Sequence, residues 1–264
     1  MSQEFLRPLS ELQVPAKVLG VLTDIDDTLT TDGVVPAHVV AAIARLQAAG
    51  LKVVPITGRP VGWSVPFARA WPVDAIVAEN GAVALRRNNE GGLDKLYQQD
   101  DDTRVRNFAR MQEVLAQIET TVPGAQRATD SHGRECDIAV DHSEFTTLPQ
   151  AQIDACVAIM QAAGMNATVS SIHINGWFGR HNKLEGARWI VRELFDIDLD
   201  ATLDQWVYIG DSTNDQLMFQ NVPLSVGVAN IARFVPQLQH LPRFVTPAER
   251  GDGFVQLAEH LLAR

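Results

Sequence analysis

The chain has 264 residues, 46% of them hydrophobic, which is enough for one large domain or two modest ones. Its formal net charge of −10 repels phosphate backbones and anionic lipids, so neither nucleic acid nor a membrane is an expected partner. Two cysteines without a CxxC spacing disfavour a disulfide framework, and no apolar run reaches the roughly 20 residues of a membrane span. We therefore expect a cytoplasmic protein. The sequence is compatible with either a monomer or a homodimer.

The first part of the chain alternates apolar strands with helices. Residues 18–23, 51–56 and 74–78 are short apolar runs that predict buried strands. Residues 36–49 have apolar side chains at helical spacing, begin with Pro36 and are followed by Gly50, which is typical of a helix. This alternation predicts a parallel sheet covered by helices on both faces.

The pattern changes after Asn80-Gly81. Residues 86–102 are polar and contain Asn-Asn and Gly-Gly turn signals. Beyond them the sequence predicts, in chain order, a helix at 103–120, a strand at 134–140, a helix at 149–163 and a strand at 167–174. This unit differs in order from the opening part of the chain, and we interpret it as an inserted domain.

The first pattern resumes near Lys183. The predicted elements are a helix at 183–194, a strand at 206–209, a helix at 214–220, strands at 224–228 and 244–246, and a helix at 253–262. We therefore predict an α/β protein. Its Rossmann-like parallel-sheet core comprises residues 1–84 and 180–264, and an α+β cap at residues 85–179 is inserted into it.

Two aspartates directly follow the first predicted strand, in the sequence Asp24-Ile25-Asp26. Ligands of open parallel sheets bind at the carboxyl edge, where Asp24 would lie, and Asp26 faces the same site if the backbone curls. One carboxylate can then attack phosphorus while the other exchanges a proton with the leaving oxygen and with water. The alternative is that both aspartates only cap a turn.

The next strand is followed by Thr57-Gly58-Arg59, and Lys183 begins a later helix. A hydroxyl and free amides after a strand can cradle phosphate oxygens, and a lysine can hold phosphate and nucleophile together. An ordinary Thr-Gly turn and a surface lysine are the alternatives at these positions.

A second acidic cluster, Gly210-Asp211-Ser212-Thr213-Asn214-Asp215, follows another strand. Asp211 and Asp215 are four residues apart across a strand-to-helix turn, where both can reach one hard cation such as Mg²⁺. Helix capping is the alternative. However, four aspartates at one sheet edge would repel each other without a cation, so the combination favours a metal site.

Taken in order, these motifs resemble those of the haloacid dehalogenase-like hydrolase superfamily, which consists mostly of phosphatases. DIDDTLT is similar to its first motif, ITGR to its second, Lys183 to its third and GDSTND to its fourth. The sequence AENGA and the long insertion resemble the branch with a large α/β cap, which includes sucrose-phosphate and phosphoglycolate phosphatases and phosphomannomutases. The resemblance covers residues 18–84 and 180–255. One departure is NKLEGA around Lys183, where the family more often has SKG.

The resemblance implies roles for individual residues. Asp24 would be the nucleophile and Asp26 the general acid and base. The expected phosphate ligands are Thr57, Gly58, Lys183 and Asn214. Mg²⁺ would be bound by Asp24, the carbonyl of Asp26 and Asp211, with Asp215 close by. The implied activity is Mg²⁺-dependent hydrolysis of a small phosphorylated metabolite, a sugar phosphate or short phospho-acid, through an aspartyl phosphate.

Three other functions use related chemistry: a phosphosugar mutase, a phospho-acceptor signalling receiver, and a binding protein without turnover. Receivers resemble the order acid pair, acceptor Asp, Thr, Lys, whereas this chain has its acid pair last. In a receiver Asp26 would have no function, and a binding protein would be expected to lack Asp24 or Asp26. Phosphatase is therefore the favoured prediction.

Specificity would come from the predicted cap, which contains basic and aromatic side chains in an otherwise acidic protein. We predict that Arg134 and His173 contact the part of the substrate beyond the phosphate, because arginine suits a carboxylate through paired hydrogen bonds. The alternative is that Arg134 is solvated, like Arg127, and that Trp177 belongs to a core.

Overall fold

The computed structural model describes residues 6–263. Its strands are β1 (Arg7–Pro8), β2 (Gly20–Thr23), β3 (Lys52–Pro55), β4 (Ile76–Ala78), β5 (Val83–Arg87), β6 (Leu93–Tyr97), β7 (Gln126–Arg127), β8 (Ile138–Asp141), β9 (Asn166–Val169), β10 (His173–Trp177), β11 (Trp206–Gly210), β12 (Leu224–Gly227) and β13 (Phe244–Val245). Its α-helices are α1 (Ala37–Ala48), α2 (Val61–Ala70), α3 (Asp101–Thr121), α4 (Gln150–Ala162), α5 (Lys183–Phe195), α6 (Gln216–Asn221) and α7 (Arg250–Leu262).

A six-stranded parallel sheet, in the order β1-β13-β12-β11-β2-β3, forms the core. Its side chains alternate between two apolar layers, as the pleat of a strand requires. On β2, Val21 packs in one cluster with Ile43 of α1, whereas Leu22 packs in the other with Ile190 of α5. Both faces are thus covered by helices, which confirms the predicted α/β fold class with a parallel-sheet core.

A three-stranded antiparallel sheet, β4-β5-β6, adjoins this core through a parallel bridge between Ile56 and Val77. The polar segment at 86–102 carries turn signals, but β6 also lies within it. The hairpin turns at Asn88, whose Oδ1 accepts the backbone N–H groups of Glu90 and Gly92. The predicted start of the cap, residue 85, falls inside β5, and the exact division into domains stays a prediction.

A four-stranded antiparallel sheet, β7-β8-β10-β9, packs against α3 and α4. Ile118 of α3, Met160 of α4 and Ile174 of β10 are buried in one apolar cluster. This cluster is separate from the two layers of the core sheet. Among residues 6–263, no helix combines the length and apolar character needed to cross a membrane.

The prediction of one strand at 167–174 was wrong. The chain reverses there, and β9 and β10 pair as antiparallel neighbours. The Oγ of Ser170 accepts the N–H groups of Ile172 and His173, so the serine side chain closes the turn. The predicted strand at 134–140 is also shorter, because β8 begins only at Ile138.

Candidate functional site

Asp24 and Lys183 form an ion pair at the carboxyl edge of the core sheet. Asp24 follows β2, and its N–H donates to the carbonyl of Ile209 on β11 at 2.9 Å. Lys183 Nζ donates to Asp24 Oδ1 and to Asp215 Oδ1, both at 2.6 Å. Both partners of the ion pair are buried. Burial raises the pKa of Asp24 to about 7, although the Lys183 charge opposes this.

Two features fix the start of α5 and hence the position of Lys183. The side chain of Asn182 caps the helix by accepting the N–H groups of Leu184 and Glu185, each at 3.0 Å. Gly186 packs against the backbone of Gly81, where a side chain on either residue would clash. Although the sequence around Lys183 departs from the family pattern, the helix begins at Lys183 itself.

Asp215 uses both carboxylate oxygens within the chain. Its Oδ1 accepts from Lys183 and from the hydroxyl of Tyr208, and its Oδ2 accepts the N–H groups of Asp211 and Ser212 at 2.9 and 3.0 Å. It therefore orients the lysine and shapes the turn after β11. Tyr208 was not predicted as a site residue, although a tyrosine in an apolar strand implies a partner for its hydroxyl.

Asp211 is fully buried and incompletely paired. Its Oδ2 lies 3.3 Å from donors of Asn230 and Arg233, but its Oδ1 has no hydrogen-bond partner among residues 6–263. Carboxylate oxygens of Asp24, Asp211 and Asp215 lie within 4.8 Å of one another. Burial, together with the charges of Asp24 and Asp215, raises the pKa of Asp211 well above its ordinary range. A free buried oxygen among like charges fits a hard cation such as Mg²⁺.

Replacing Asp211 by Asn tests this metal site without measuring activity. We expect millimolar Mg²⁺ to raise the melting temperature of the wild type, because a ligand of the native state stabilises it. Asp211→Asn should lose most of that increase, since an amide is a weaker ligand for a hard cation. The exposed Asp154→Asn should keep it. An equal increase in wild type and Asp211→Asn, by scanning calorimetry, would exclude Asp211 as a ligand.

The other predicted phosphate ligands lie on the loops after β3 and β11, the two strands that flank β2. Thr57 is buried beyond the end of β3, and its Oγ1 accepts the N–H of Arg59 at 3.0 Å. The carbonyl of Gly58 accepts from Arg134, and Asn214 accepts from the hydroxyl of Ser212 at 2.9 Å. Because β3 pairs with β2, Thr57 lies at the same sheet edge as Asp24. Phosphate binding by these residues stays a prediction.

Asp26 is held by Arg59, for which the sequence suggested no separate role. Arg59 Nε donates to both oxygens of Asp26, at 2.9 and 3.0 Å. The same guanidinium reaches Asp130 at 3.2 Å and Glu144 at 2.7 Å. Arg59 thus joins the predicted general acid to two carboxylates of the predicted inserted unit, residues 85–179.

Arg134 and His173, the predicted substrate ligands, are buried in an ionic network. Arg134 pairs with Asp137 at 2.7 Å, and His173 Nε2 lies 2.8 Å from Glu144. Arg134 connects to Arg59 through Asp130, and His173 connects to it through Glu144. Their direct contact with substrate stays a prediction, and their observed contacts lie within the chain. The network belongs to the same region as Asp26, because Glu144 also binds Arg59.

Comparison with known proteins shows what part of the chain resembles. Residues 21–132 match the model of a family described as haloacid dehalogenase-like hydrolase. No curated protein sequence matches the chain significantly. The match and the fold together confirm the predicted resemblance to haloacid dehalogenase-like hydrolases.

Three solved structures share the fold over nearly the whole chain. Thermoplasma acidophilum protein 0175 is 17% identical, with a TM-score of 0.71, over 94% of this chain and 100% of that one. The sucrose-phosphatase of Synechocystis sp. PCC6803, in complex with sucrose and phosphate, is 15% identical, with a TM-score of 0.67, over 93% and 98%. A haloacid dehalogenase-like hydrolase from B. subtilis is 14% identical, with a TM-score of 0.66, over 91% and 99%.

Proposed function

We propose that this protein hydrolyses the phosphate ester of a small metabolite through an aspartyl phosphate on Asp24. The observation that carries the proposal is the buried contact of Lys183 with Asp24 and Asp215, next to the unpartnered oxygen of Asp211. In this proposal Asp24 supplies the nucleophile, Lys183 a fixed positive charge and Asp211 a cation ligand, and their closeness at one sheet edge supports it. The match to haloacid dehalogenase-like hydrolases supports the same reaction class.

In the first half-reaction, a carboxylate oxygen of Asp24 attacks phosphorus and the bond from phosphorus to the leaving oxygen breaks. Asp26 gives its proton to that oxygen, which departs as an alcohol. Lys183 stays an ammonium throughout. Although burial lowers its pKa, the charges of Asp215 and Asp24 outweigh this and raise it above the ordinary value.

In the second half-reaction, water attacks phosphorus of the aspartyl phosphate while Asp26 accepts a proton from it. The bond from phosphorus to Asp24 then breaks, which releases phosphate and restores the carboxylate.

The proposed ligands of Mg²⁺ are Asp24, Asp211 and the carbonyl of Asp26. When bound, the cation would neutralise charge on the phosphoryl oxygens. Since both oxygens of Asp215 are used within the chain, we assign it to orienting Lys183.

A cleft of about 540 Å³ beside Asp26 is the proposed place for the leaving group. Its lining includes Arg59, Glu144, Phe145 and Arg233, which together offer donors, acceptors and one exposed aromatic ring. Small-molecule sites commonly enclose roughly 300–1,000 Å³, so a compact metabolite fits. The mixture of donors and acceptors suits a polyhydroxylated sugar, and the likeness to a sucrose-phosphatase supports the same choice.

A panel of phosphorylated sugars and short phospho-acids tests the proposal directly. We expect Mg²⁺-dependent phosphate release from at least one of them, and loss of that activity in a strong chelator. A phosphosugar mutase would instead give a rearranged sugar phosphate without free phosphate. No release from any metabolite or from 4-nitrophenyl phosphate, by a protein that binds Mg²⁺, would refute the proposal.

The role of Asp26 predicts a dependence on the leaving group. Asp26→Asn should reduce kcat for alkyl phosphates by roughly 10² to 10⁴, the usual contribution of general acid–base catalysis. The loss should be smaller for 4-nitrophenyl phosphate, because nitrophenolate leaves without a proton. Steady-state kinetics with both substrates at saturating Mg²⁺ measures the difference. Equal losses for the two esters would show that Asp26 does not protonate the leaving group.

A further inference from the structure

We propose that Arg59 is a positioning residue that makes proton transfer by Asp26 depend on two carboxylates of the inserted unit, Asp130 and Glu144. The inference rests on the proposed function, because it assumes that Asp26 exchanges the proton. It assigns to Arg59 a role distinct from phosphate binding by the neighbouring Thr57 and Gly58. Three groups of observations support it.

The first is the geometry of the guanidinium. Arg59 donates from Nε to Asp26, from Nη1 to Asp130 and from Nη2 to Glu144. Its side chain is only 7% exposed, and its guanidinium lies 5.0 Å from the ring centre of Trp63. A planar guanidinium held on several sides has few alternative positions, so a change at one carboxylate alters its contact with the others.

The second is the charge around Arg59. Three carboxylates surround this one cation, and two of them have further cationic or imidazole partners. Arg134 lies 3.1 Å from Asp130, and His173 lies 2.8 Å from Glu144. Although burial opposes it, the hydrogen bonds from His173 and Arg59 lower the pKa of Glu144 to about 2. Glu144 is therefore ionised at neutral pH and competes with Asp26 for the guanidinium.

The third is the position of Asp26. Its side chain is 13% exposed and lines the proposed cleft together with Arg59 and Glu144. Arg59 donates to both of its oxygens, and a proton on either oxygen weakens that oxygen's bond to Arg59, so a looser contact with Arg59 favours proton exchange with a leaving group. Asp130 and Glu144 also accept hydrogen bonds from the guanidinium and attract it away from Asp26, which loosens its contact with Asp26. Removing their charge should leave Arg59 bound more tightly to Asp26.

Asp130→Asn is the best test, because Asp130 does not line the proposed cleft for the leaving group. It lines a separate depression beside Gly62 and Trp63. We expect kcat for an alkyl phosphate to fall about tenfold, the order expected for a changed hydrogen bond to a charged group. The kcat for 4-nitrophenyl phosphate should stay within about twofold, and KM should change little for either ester. Glu119→Gln, which breaks a surface pair with Arg127, is the matched control and should leave both rates unchanged.

Glu144→Gln and Arg59→Lys give independent checks, with melting temperatures measured to show that each variant folds. Glu144→Gln should show the same selective loss of kcat, and Arg59→Lys should change the ratio of alkyl to aryl rates. Equal losses for both esters, or none, in Asp130→Asn and Glu144→Gln would overturn the inference. If Asp26→Asn shows its leaving-group dependence and these variants do not, only the role of Arg59 fails. If wild type releases no phosphate, the proposed function fails.

Discussion

Asp24→Asn should reduce phosphate release by roughly 10⁴-fold or more, the scale of loss when a covalent nucleophile is removed from an enzyme. A neutral amide cannot attack phosphorus, whereas the carboxylate of Asp24 is held at the end of β2 by the backbone of β11. The variant should still fold. Its amide has nearly the same shape, Lys183 keeps its contact with Asp215, and the like-charge repulsion with Asp211 decreases.

Two measurements distinguish loss of the nucleophile from a general defect. Acid-quenched wild-type protein should carry a hydroxylamine-sensitive phosphate during turnover, and Asp24→Asn should carry none. Calorimetry should give the variant a cooperative unfolding transition close to that of the wild type. Intact mass must show that the introduced amide has not deamidated back to a carboxylate. Turnover within tenfold of wild type, in such a preparation, would remove Asp24 from the role.

The core site was predictable because its aspartates follow strands of a parallel sheet and its lysine begins a helix that packs on that sheet. Asp24, Lys183 and the turn that contains Asp211 and Asp215 are distant in sequence, but the fold brings these three segments to one edge. Short apolar runs ending in an acid indicate such a site without knowledge of packing. Tyr208 and Asn230 were missed, because their contribution depends on which carboxylate each one contacts.

The elements of the predicted inserted unit were predicted less well. The turn that separates β9 from β10 depends on hydrogen bonds of a single serine, Ser170, within an otherwise strand-like run. Arg134 and His173 looked like free donors in an acidic chain. Their partners Asp137 and Glu144 become visible only when the fold places the strands beside one another. The link from Arg59 to Asp130 joins two parts of the chain whose proximity no local pattern indicates.

Lys183→Met should destabilise the fold as well as abolish activity. Methionine has a similar length, but it leaves the buried carboxylates of Asp24 and Asp215 without the ammonium that both contact at 2.6 Å. Removing one partner of a buried ion pair costs about 3–5 kcal/mol in unfolding free energy. Denaturant titration in a chelator measures it. The matched control is Lys95→Met, whose ion pair with Glu135 is partly exposed and should contribute no more than about 1 kcal/mol.

The same variant links the lysine to the proposed metal site. Without Lys183, the repulsion among Asp24, Asp211 and Asp215 has one less compensating charge, so a cation bound there should stabilise the fold more than in the wild type. We therefore expect Mg²⁺ to raise the melting temperature of Lys183→Met by more than that of the wild type or of Lys95→Met. Adding Asp211→Asn should remove the extra increase. A Lys183→Met protein as stable as the wild type in chelator would mean that the buried lysine does not hold these carboxylates together.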